Sequence, residues 1–457
     1  MCSHDLCKMS PVLLVSFLLT ACGAFQAQPD YLSATEKERQ DIEAWSQISG
    51  GSETAYLNDL VNSPDLDVLI AEAQTSNPSL QQTLLSLKIL QAQYQATRAD
   101  QLPDVDAGFS ASKTENADTV YSGSVEISWE LDLWSRIANQ TSAAASDVAE
   151  QQALYQSARD TLTAEVMQGW LQLVNLQRSI VIEEQRVNLL EKNEQWVIQR
   201  YRSGLGDLKD LDSAKSSAAS ARATLEEKRE SLQQQQRAMN VLLGRGQGTQ
   251  LIVADYPAVL LPLTELPEQT LQRRPDLKAA FLAIQANDFR TKVAYKEMLP
   301  SISLGAALTD AGTSPGEALL TNPLWSLLGQ LTAPLFRGGE LQANADAAEL
   351  TTAQSYQAYR ETLLTAVQEV EDAIGQESSL AKQQEHIESA LQSAQRNFEQ
   401  YQQKYRNGLV SVLDLLDVQQ SAFNLESQLN DLIYQRLNNR ITLGLALGLG
   451  IKETDQS

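Results

Sequence analysis

The chain has 457 residues and a formal net charge of −23, from 35 basic and 58 acidic side chains. This acidic excess argues against a nucleic-acid binder, because neutralising phosphates requires clustered Lys and Arg. With 43% hydrophobic and 20% charged residues, the composition is not that of a disordered chain. The low aromatic content of 6%, together with abundant Ala, Gln, Ser and Leu, indicates long helices rather than a thick core.

Residues 1–21 are predicted to be a lipoprotein signal peptide. Lys8 precedes an apolar stretch at 11–19 that is too short to span a bilayer as a helix, and residues 19–23 read Leu-Thr-Ala-Cys-Gly. This run resembles a bacterial lipobox, which implies cleavage before Cys22 and acylation of its sulfur and its new amine. The alternative is a signal for soluble export that ends in a chance cysteine. One lipidated cysteine anchors a chain to a membrane surface without spanning it.

The mature chain has few side chains that could bind a metal ion or take part in catalysis. After removal of the leader, Cys22 and His386 are the only Cys and His, so no disulfide and no thiolate or imidazole metal site can be built. We therefore expect no metal and no other cofactor. A lone S-x-x-K at 379–382 lacks the companion motifs of a serine enzyme, and a weak calcium-loop pattern at 104–108 alternates like a strand.

Two very long helices are predicted, because proline is absent from 104–256 and from 335 to the end. Leu162, Val166, Trp170 and Leu173 step by three and four residues, which is the narrow apolar stripe of coiled-coil-like packing. A continuous helix over 137–203 would be roughly 100 Å long.

The sequence contains an internal repeat. Tyr201-Arg202-Ser203-Gly204-Leu205 returns as Tyr405-Arg406-Asn407-Gly408-Leu409, and further matches run through both halves at similar offsets. The predicted organisation after the leader is therefore an internal two-fold repeat with these parts: an N-terminal extended segment (22–64), a first repeat (65–245), a Pro-rich connector (246–272), a second repeat (273–450) and a tail (451–457).

Each repeat is predicted to contain one pair of strands, at about 103–134 and about 300–337, where apolar and polar residues alternate. A half-buried sheet in a soluble domain would alternate in the same way. Each strand is, however, about long enough to cross a bilayer when tilted. Four strands cannot close a membrane barrel, and open edges are not tolerated in lipid, so the chain must oligomerise if these strands are in the membrane. Three chains would supply twelve strands.

Carboxylates occupy the polar faces of the first strand pair. In a membrane barrel these faces point into the water-filled lumen, where one sign of charge favours cations. Alternatively, the carboxylates only keep the lumen wet. The predicted lumenal residues are Asp104, Asp106, Glu126, Glu130 and Asp132.

Together these features resemble the TolC-like outer-membrane factors, and within them the lipidated branch that serves drug efflux. The marks are the lipobox, the duplicated plan, a Leu-Pro before each strand pair, and three motifs that follow in order: Arg-Arg-Pro-Asp-Leu (273–277), Ala-Pro-Leu-Phe-Arg-Gly-Gly (333–339) and Leu-Asp-Leu-Leu-Asp (413–417). The resemblance implies a mainly α homotrimer with long helical hairpins in a periplasmic α-barrel and a 12-stranded outer-membrane β-barrel.

The resemblance also implies a function. It predicts an exit duct of a tripartite efflux system in a Gram-negative outer membrane, without catalysis, that works with a periplasmic adaptor and an inner-membrane RND-type pump. A type I secretion duct shares the architecture. A protein of another class, a lipid-anchored periplasmic coiled-coil scaffold without a pore, is the second alternative.

The resemblance places two sites. Asp414 and Asp417 lie three residues apart at the start of a helix, where an Asp commonly caps the helix. In the family the matching aspartates ring the periplasmic mouth, and six carboxylates from three copies would raise some of their pKa values or recruit a cation. The hairpin tips, where glycine also simply permits a helix end, are implied to contact the adaptor through Gly204, Leu205, Gly408 and Leu409.

Overall fold

The computed structural model describes residues 30–46, 51–52, 54–246, 251, 255–264 and 267–451. Cys22 and the leader lie outside these residues. The helices are α1 (Tyr31–Gln40), α2 (Pro64–Ser76), α3 (Pro78–Ala99), α4 (Arg136–Arg202), α5 (Leu208–Leu242), α6 (Pro267–Arg273), α7 (Pro275–Lys296), α8 (Glu340–Arg406) and α9 (Val412–Ala446). The strands are β1 (Asp104–Ser112), β2 (Val120–Leu131), β3 (Ser301–Gly312) and β4 (Leu324–Thr332), and a short 3₁₀ helix spans Leu57–Leu60.

The order of elements occurs twice along the chain. In each half a helix of 22 residues leads into two strands, which are followed by a helix of 67 residues and a returning helix of 35 residues. A helix of 67 residues is roughly 100 Å long, as the proline-free spans predicted. The pairs α4–α5 and α8–α9 are therefore two long hairpins of the same size.

Packing, more than propensity, holds these long helices in place. The predicted stripe residues Leu162, Val166, Trp170 and Leu173 are all buried, and they lie in an apolar cluster with residues of α2, α5 and α9. A second cluster joins α7, α8 and the end of α9, and a third lies near the hairpin tips. In the described part of the chain, the model contains no helix with the length and apolarity needed to cross a membrane.

The four strands form one antiparallel sheet in the order β1-β2-β3-β4. Asp104 lies opposite Ser128, Glu130 opposite Ser303, and Ser301 opposite Thr332, so the polar residues of all four strands share one face. The other face carries the apolar residues Val105, Phe109, Tyr121, Val125, Ile127, Trp129, Ile302, Leu304, Leu308, Trp325, Leu327 and Leu331. Both outer strands, β1 and β4, have a free edge within the chain.

The prediction of an extended segment at 22–64 is wrong for its described part, because α1 lies within it. Asp30 caps this helix by accepting a hydrogen bond from the backbone N–H of Ser33 at 3.1 Å, and helix-forming residues follow. The helix is then fixed on α8, where Glu38 pairs with Arg360 at 2.7 Å and Tyr31 packs on Tyr356.

The Pro-rich connector returns to the N-terminal segment. Ser52 donates its backbone N–H to Leu261 and accepts from Leu263, and Leu260 donates to Leu60. The later part of the connector is the short helix α6, which begins at a proline as helices often do. These contacts hold the connector against the N-terminal segment.

Candidate functional site: the hairpin tips and the sheet

The two hairpin tips have the same backbone structure. Leu205 donates its N–H to the carbonyl of Arg200 at 2.9 Å, and Leu409 donates to that of Lys404 at the same distance. Gly204 (φ +74°) and Gly408 (φ +72°) adopt the left-handed conformation that this helix ending requires. The left-handed conformation at the helix end is therefore sufficient to explain why glycine occupies both positions.

The leucine after each of these glycines points into solvent. Leu205 is 73% exposed and Leu409 is 72% exposed, whereas most large apolar side chains of the neighbouring helices are buried. An apolar side chain that is this exposed at a hairpin tip contributes little to the packing of its own chain. The tips are therefore suitable for contact with another protein.

The two tips are held side by side in one chain. Tyr405 of α8 lies in an apolar cluster with Val197 of α4, and the guanidinium of Arg200 sits 5.7 Å from the Tyr405 ring centroid. Farther from the tips, the side chain of Asn193 donates to Gln419 at 2.8 Å. These contacts fix the second hairpin against the first, and the sequence alone gave no signal for the Arg200–Tyr405 pair.

Asp414 and Asp417 lie near the start of α9, both exposed. Asp414 forms a capping box with Ser411: its carboxylate accepts from the Ser411 hydroxyl at 2.6 Å and from the Ser411 N–H at 2.9 Å. These hydrogen bonds, that of the hydroxyl first, lower the pKa of Asp414 in the single chain. The rise in pKa that the sequence predicts applies to three assembled copies, in which six carboxylates would lie close together. Asp414 thus has a structural role, whereas the carboxylate of Asp417 forms no hydrogen bond or ion pair with the described residues.

Four of the five predicted lumenal carboxylates lie on the polar face of the sheet. The carboxylates of Asp104 and Asp106, both in β1, are exposed and form no hydrogen bond or ion pair with any described residue. Asp106 lies directly opposite Glu126. Glu130 pairs with Arg136 of α4 at 2.8 Å, so it ties the end of the sheet to the long helix.

Asp132, the fifth of these predicted residues, lies one residue beyond the end of the sheet. Strand β2 ends at Leu131, and the Asp132 carboxylate accepts hydrogen bonds from the backbone N–H groups of Ile137 at 3.1 Å and Ala138 at 2.7 Å. Free N–H groups at the start of a helix need such acceptors. Asp132 therefore caps α4, and the alternation of the sequence extended the strand too far.

Aromatic residues lie near both ends of the sheet. Trp134 follows β2 and donates its indole N–H to the carbonyl of Pro300 at 2.6 Å, and Phe336 follows β4 and is 90% exposed. Trp325 lies at the opposite end, as the second residue of β4. Tryptophan is enriched where a protein surface meets the two interfaces of a membrane.

A buried ion cluster joins α8 to α9. One oxygen of Glu377, a residue that is 3% exposed, accepts from Arg436 at 2.9 Å and from Arg440 at 3.0 Å. Arg440 also donates to the carbonyl of Val259 at 2.6 Å, which binds the connector to the second hairpin. No local sequence pattern indicates this cluster, because its residues are far apart along the chain.

A second buried carboxylate lies where the two halves meet. Asp160 of α4 accepts from the backbone N–H of Ile451 at 3.3 Å, and it lines a cavity of about 280 Å³ together with Arg274. Arg274 is paired with Asp276 and Glu369, both at 2.7 Å, and donates to the carbonyl of Ala446. Burial raises the pKa of Asp160 to about 6. Among the described residues, no group of three or more His, Cys, Asp or Glu is placed to hold a metal ion.

Known proteins with a similar sequence or fold are outer-membrane proteins. The chain is 27% identical over 464 residues to the cation efflux system protein CusC of Escherichia coli O6:H1, with 97% of this chain and 99% of CusC covered. It is 28% identical to the outer membrane protein OprJ of Pseudomonas aeruginosa, with 97% of each covered. A crystal structure of CusC, which forms a transmembrane channel, matches with a TM-score of 0.81 and 25% identity over 90% of this chain and 99% of that chain.

A small membrane sheet carried on two long helical hairpins defines a class of channel proteins, and the predicted mainly α fold with a β part is confirmed. The sequence profile of the family described as "Outer membrane efflux protein" matches residues 69–245 and 266–449. The chain belongs to this family and is an efflux channel of the outer membrane.

Proposed function

We propose that three copies of this chain form the exit duct of a tripartite efflux system, with a periplasmic adaptor and an inner-membrane RND-type pump as partners. The observation that carries the proposal is the pairing of a four-stranded sheet, apolar on one face and open at both edges, with two hairpins roughly 100 Å long. An open sheet edge is not stable in lipid, so neighbouring copies must cover it. Such a duct moves its cargo without catalysis.

Asp414 and Asp417 are proposed to ring the periplasmic mouth of the duct. Three copies would bring six carboxylates around one axis, where repulsion or a bound cation controls opening. The first hairpin carries Asp210 where the second carries Asp414, but Ser213 where the second carries Asp417. Only the second hairpin therefore supplies the full pair.

The test of this gate uses the double variant Asp414→Asn and Asp417→Asn in planar bilayers. Loss of six negative charges is expected to raise the closed-state conductance and to weaken block by divalent cations several-fold. The matched control is Asp210→Asn in the first hairpin, which should change neither property. Unaltered conductance and ion response in the double variant would refute the gate.

The hairpin tips are proposed to bind the adaptor through Gly204, Leu205, Gly408 and Leu409. Because Leu205 and Leu409 are 73% and 72% exposed, Leu205→Glu with Leu409→Glu is expected to leave the fold intact and to weaken adaptor binding at least tenfold. Titration of purified adaptor onto the channel measures this. The conservative pair Leu205→Met and Leu409→Met should retain binding, and full binding by the Glu variant would exclude the tips.

Cys22 is proposed to be lipidated after removal of residues 1–21. Another relative, the probable outer membrane lipoprotein SilC of Salmonella typhimurium, is 24% identical over 96% of this chain and 98% of its own length. A Cys22→Ser variant with a cleavable leader should still fractionate with the outer membrane, because insertion of the strands does not depend on acyl chains. Recovery of this variant wholly in the soluble periplasm would contradict the channel and favour the scaffold.

A further inference from the structure

The connector between the two halves inserts one tyrosine side chain between α4 and α9. The Tyr256 hydroxyl lies 3.1 Å from the side-chain oxygen of Asn175 in α4 and 3.1 Å from that of Asn430 in α9, so it can donate its proton to either helix. The Asn430 amide donates to the Asn175 side-chain oxygen at 2.6 Å and to the Ser179 hydroxyl at 3.1 Å. Asn175 and Asn430 are 6% and 5% exposed, so these hydrogen bonds form away from water. We call these four residues the connector joint.

The side chain and the backbone of Tyr256 are both restrained. Arg178 of α4 places its guanidinium 5.1 Å from the centroid of the Tyr256 ring and pairs with Asp255 at 3.3 Å. Pro257 follows, and the residue before a proline is restricted to extended backbone conformations. The hydroxyl is thus presented to α4 and α9 by the connector, which belongs to neither long hairpin.

Above the connector joint, on the side of the sheet, α9 is fixed by apolar packing and by ion pairs. Ile441 and Leu443 are fully buried and lie in two different apolar clusters. The buried Glu377 binds the same part of α9 through Arg436 and Arg440. Movement of this part would expose apolar surface and break a buried ion pair, both at a high cost in free energy.

Below the connector joint, on the side of the hairpin tip, α9 is packed differently. Residues 417–433 belong to none of the three apolar clusters formed by the described residues. Their contacts with α4 include hydrogen bonds between long side chains, from Asn193 to Gln419 at 2.8 Å and from Arg186 to Gln420. Polar groups that separate can form hydrogen bonds with water instead, which apolar groups cannot.

Three buried atoms in this lower part have no hydrogen-bond partner among the described residues. They are Glu183 Oε2 and Arg186 Nε of α4 and Gln419 Nε2 of α9. A buried polar atom without a partner costs free energy, and water would satisfy it if the two helices moved apart. The lower part of the contact between α4 and α9 is therefore easier to open than the upper part, and the connector joint lies at the boundary between them.

We propose that Tyr256 is a positioning residue for the closed state of the channel: its hydroxyl fixes α9 to α4 at one level, and the part of α9 below that level moves when the duct opens. This lower part begins at Val412 and carries Asp414 and Asp417. Asn430 lies about 24 Å along the helix from Asp414, so the joint acts on the mouth at a distance. The inference rests on the proposed duct and its closed periplasmic mouth.

The variant Tyr256→Phe removes the hydroxyl and keeps the ring beside Arg178. In planar bilayers the full-length trimer should then show a closed-state conductance raised about fivefold, the factor by which one hydrogen bond of ordinary net strength shifts an equilibrium. Hydrogen exchange followed by mass spectrometry should become faster in α9 below Asn430 and stay unchanged above Tyr434. The matched control is Tyr434→Phe: Tyr434 packs against the same apolar cluster as Tyr256, but its hydroxyl forms no hydrogen bond with the described residues.

A raised conductance with faster exchange only below the joint in Tyr256→Phe, and neither change in Tyr434→Phe, would support the proposal. Faster exchange along the whole of α9 would overturn it, because Tyr256 would then only stabilise the fold. An unchanged conductance in Tyr256→Phe would overturn the joint, and it would leave the gate standing if the variant with Asp414→Asn and Asp417→Asn still conducts in the closed state. A wild-type protein that is monomeric by light scattering and forms no channel would overturn the duct and the joint together.

Discussion

Glu377→Gln is expected to lower the free energy of unfolding by about 3–5 kcal/mol, the range for breaking a buried ion pair from one side. The substitution keeps the size of the side chain but removes the one carboxylate, among the described residues, that pairs with Arg436 and Arg440. The Arg436 and Arg440 side chains are only 27% and 17% exposed, so each would remain charged beside α8 without its carboxylate partner. The loss should appear as a marked fall in the melting temperature of the purified protein, followed by circular dichroism.

The matched control is an exposed ion pair on the first hairpin. Glu191 pairs with Arg222 at 2.9 Å, and both side chains are nearly half exposed. Exposed pairs of this kind contribute about 0–1 kcal/mol, so Glu191→Gln should have little effect. Equal effects of the two substitutions would mean that the cluster at Glu377 does not bind α8 to α9.

Asp160→Asn is expected to stabilise the protein at alkaline pH. Burial raises the pKa of the Asp160 carboxyl to about 6 from an ordinary value of 3.8, so the folded state favours the protonated form. Its contribution to stability is full below pH 3.8 and is lost as the pH rises through 6. Such a shift corresponds to about 3 kcal/mol, about half of which is lost between pH 5 and pH 8.

The amide of Asn is uncharged and can still accept the N–H of Ile451. At pH 8 the variant should therefore melt at a higher temperature than the wild type, and the difference should shrink as the pH is lowered to 5. Glu361→Gln is the control, because Glu361 occupies the corresponding position of the second half and is exposed. The same pH dependence in wild type and Asp160→Asn would show that the carboxyl titrates normally.

The long helices and the strands could be predicted from the sequence, because hydrophobic periodicity and the absence of proline are properties of short stretches of chain. The end of β2 was misplaced because Asp132 continues the alternation of the strand although its carboxylate caps α4. Helix α1 was missed because its contacts with α8 come from the other half of the chain.

Some of the candidate sites also have a local sequence signature, whereas others depend on contacts between distant residues. The tip glycines and the aspartates at the start of α9 were found because turn and cap residues have short signatures. The pairing of Arg200 with Tyr405, the Glu377 cluster and the burial of Asp160 depend on residues more than 50 positions apart. The packing of the two hairpins determines which of these residues come into contact. A pattern within a short stretch of sequence cannot predict that packing.

Single-channel recording of the detergent-purified protein in a planar bilayer, with its mass measured by light scattering, shows whether three copies of the chain form a conducting barrel. Three copies that close a barrel with Asp104, Asp106, Glu126 and Glu130 on its inner face should give a trimeric mass and small, cation-selective openings. A monomer or dimer without conductance would contradict the account, since the four strands would then form no barrel.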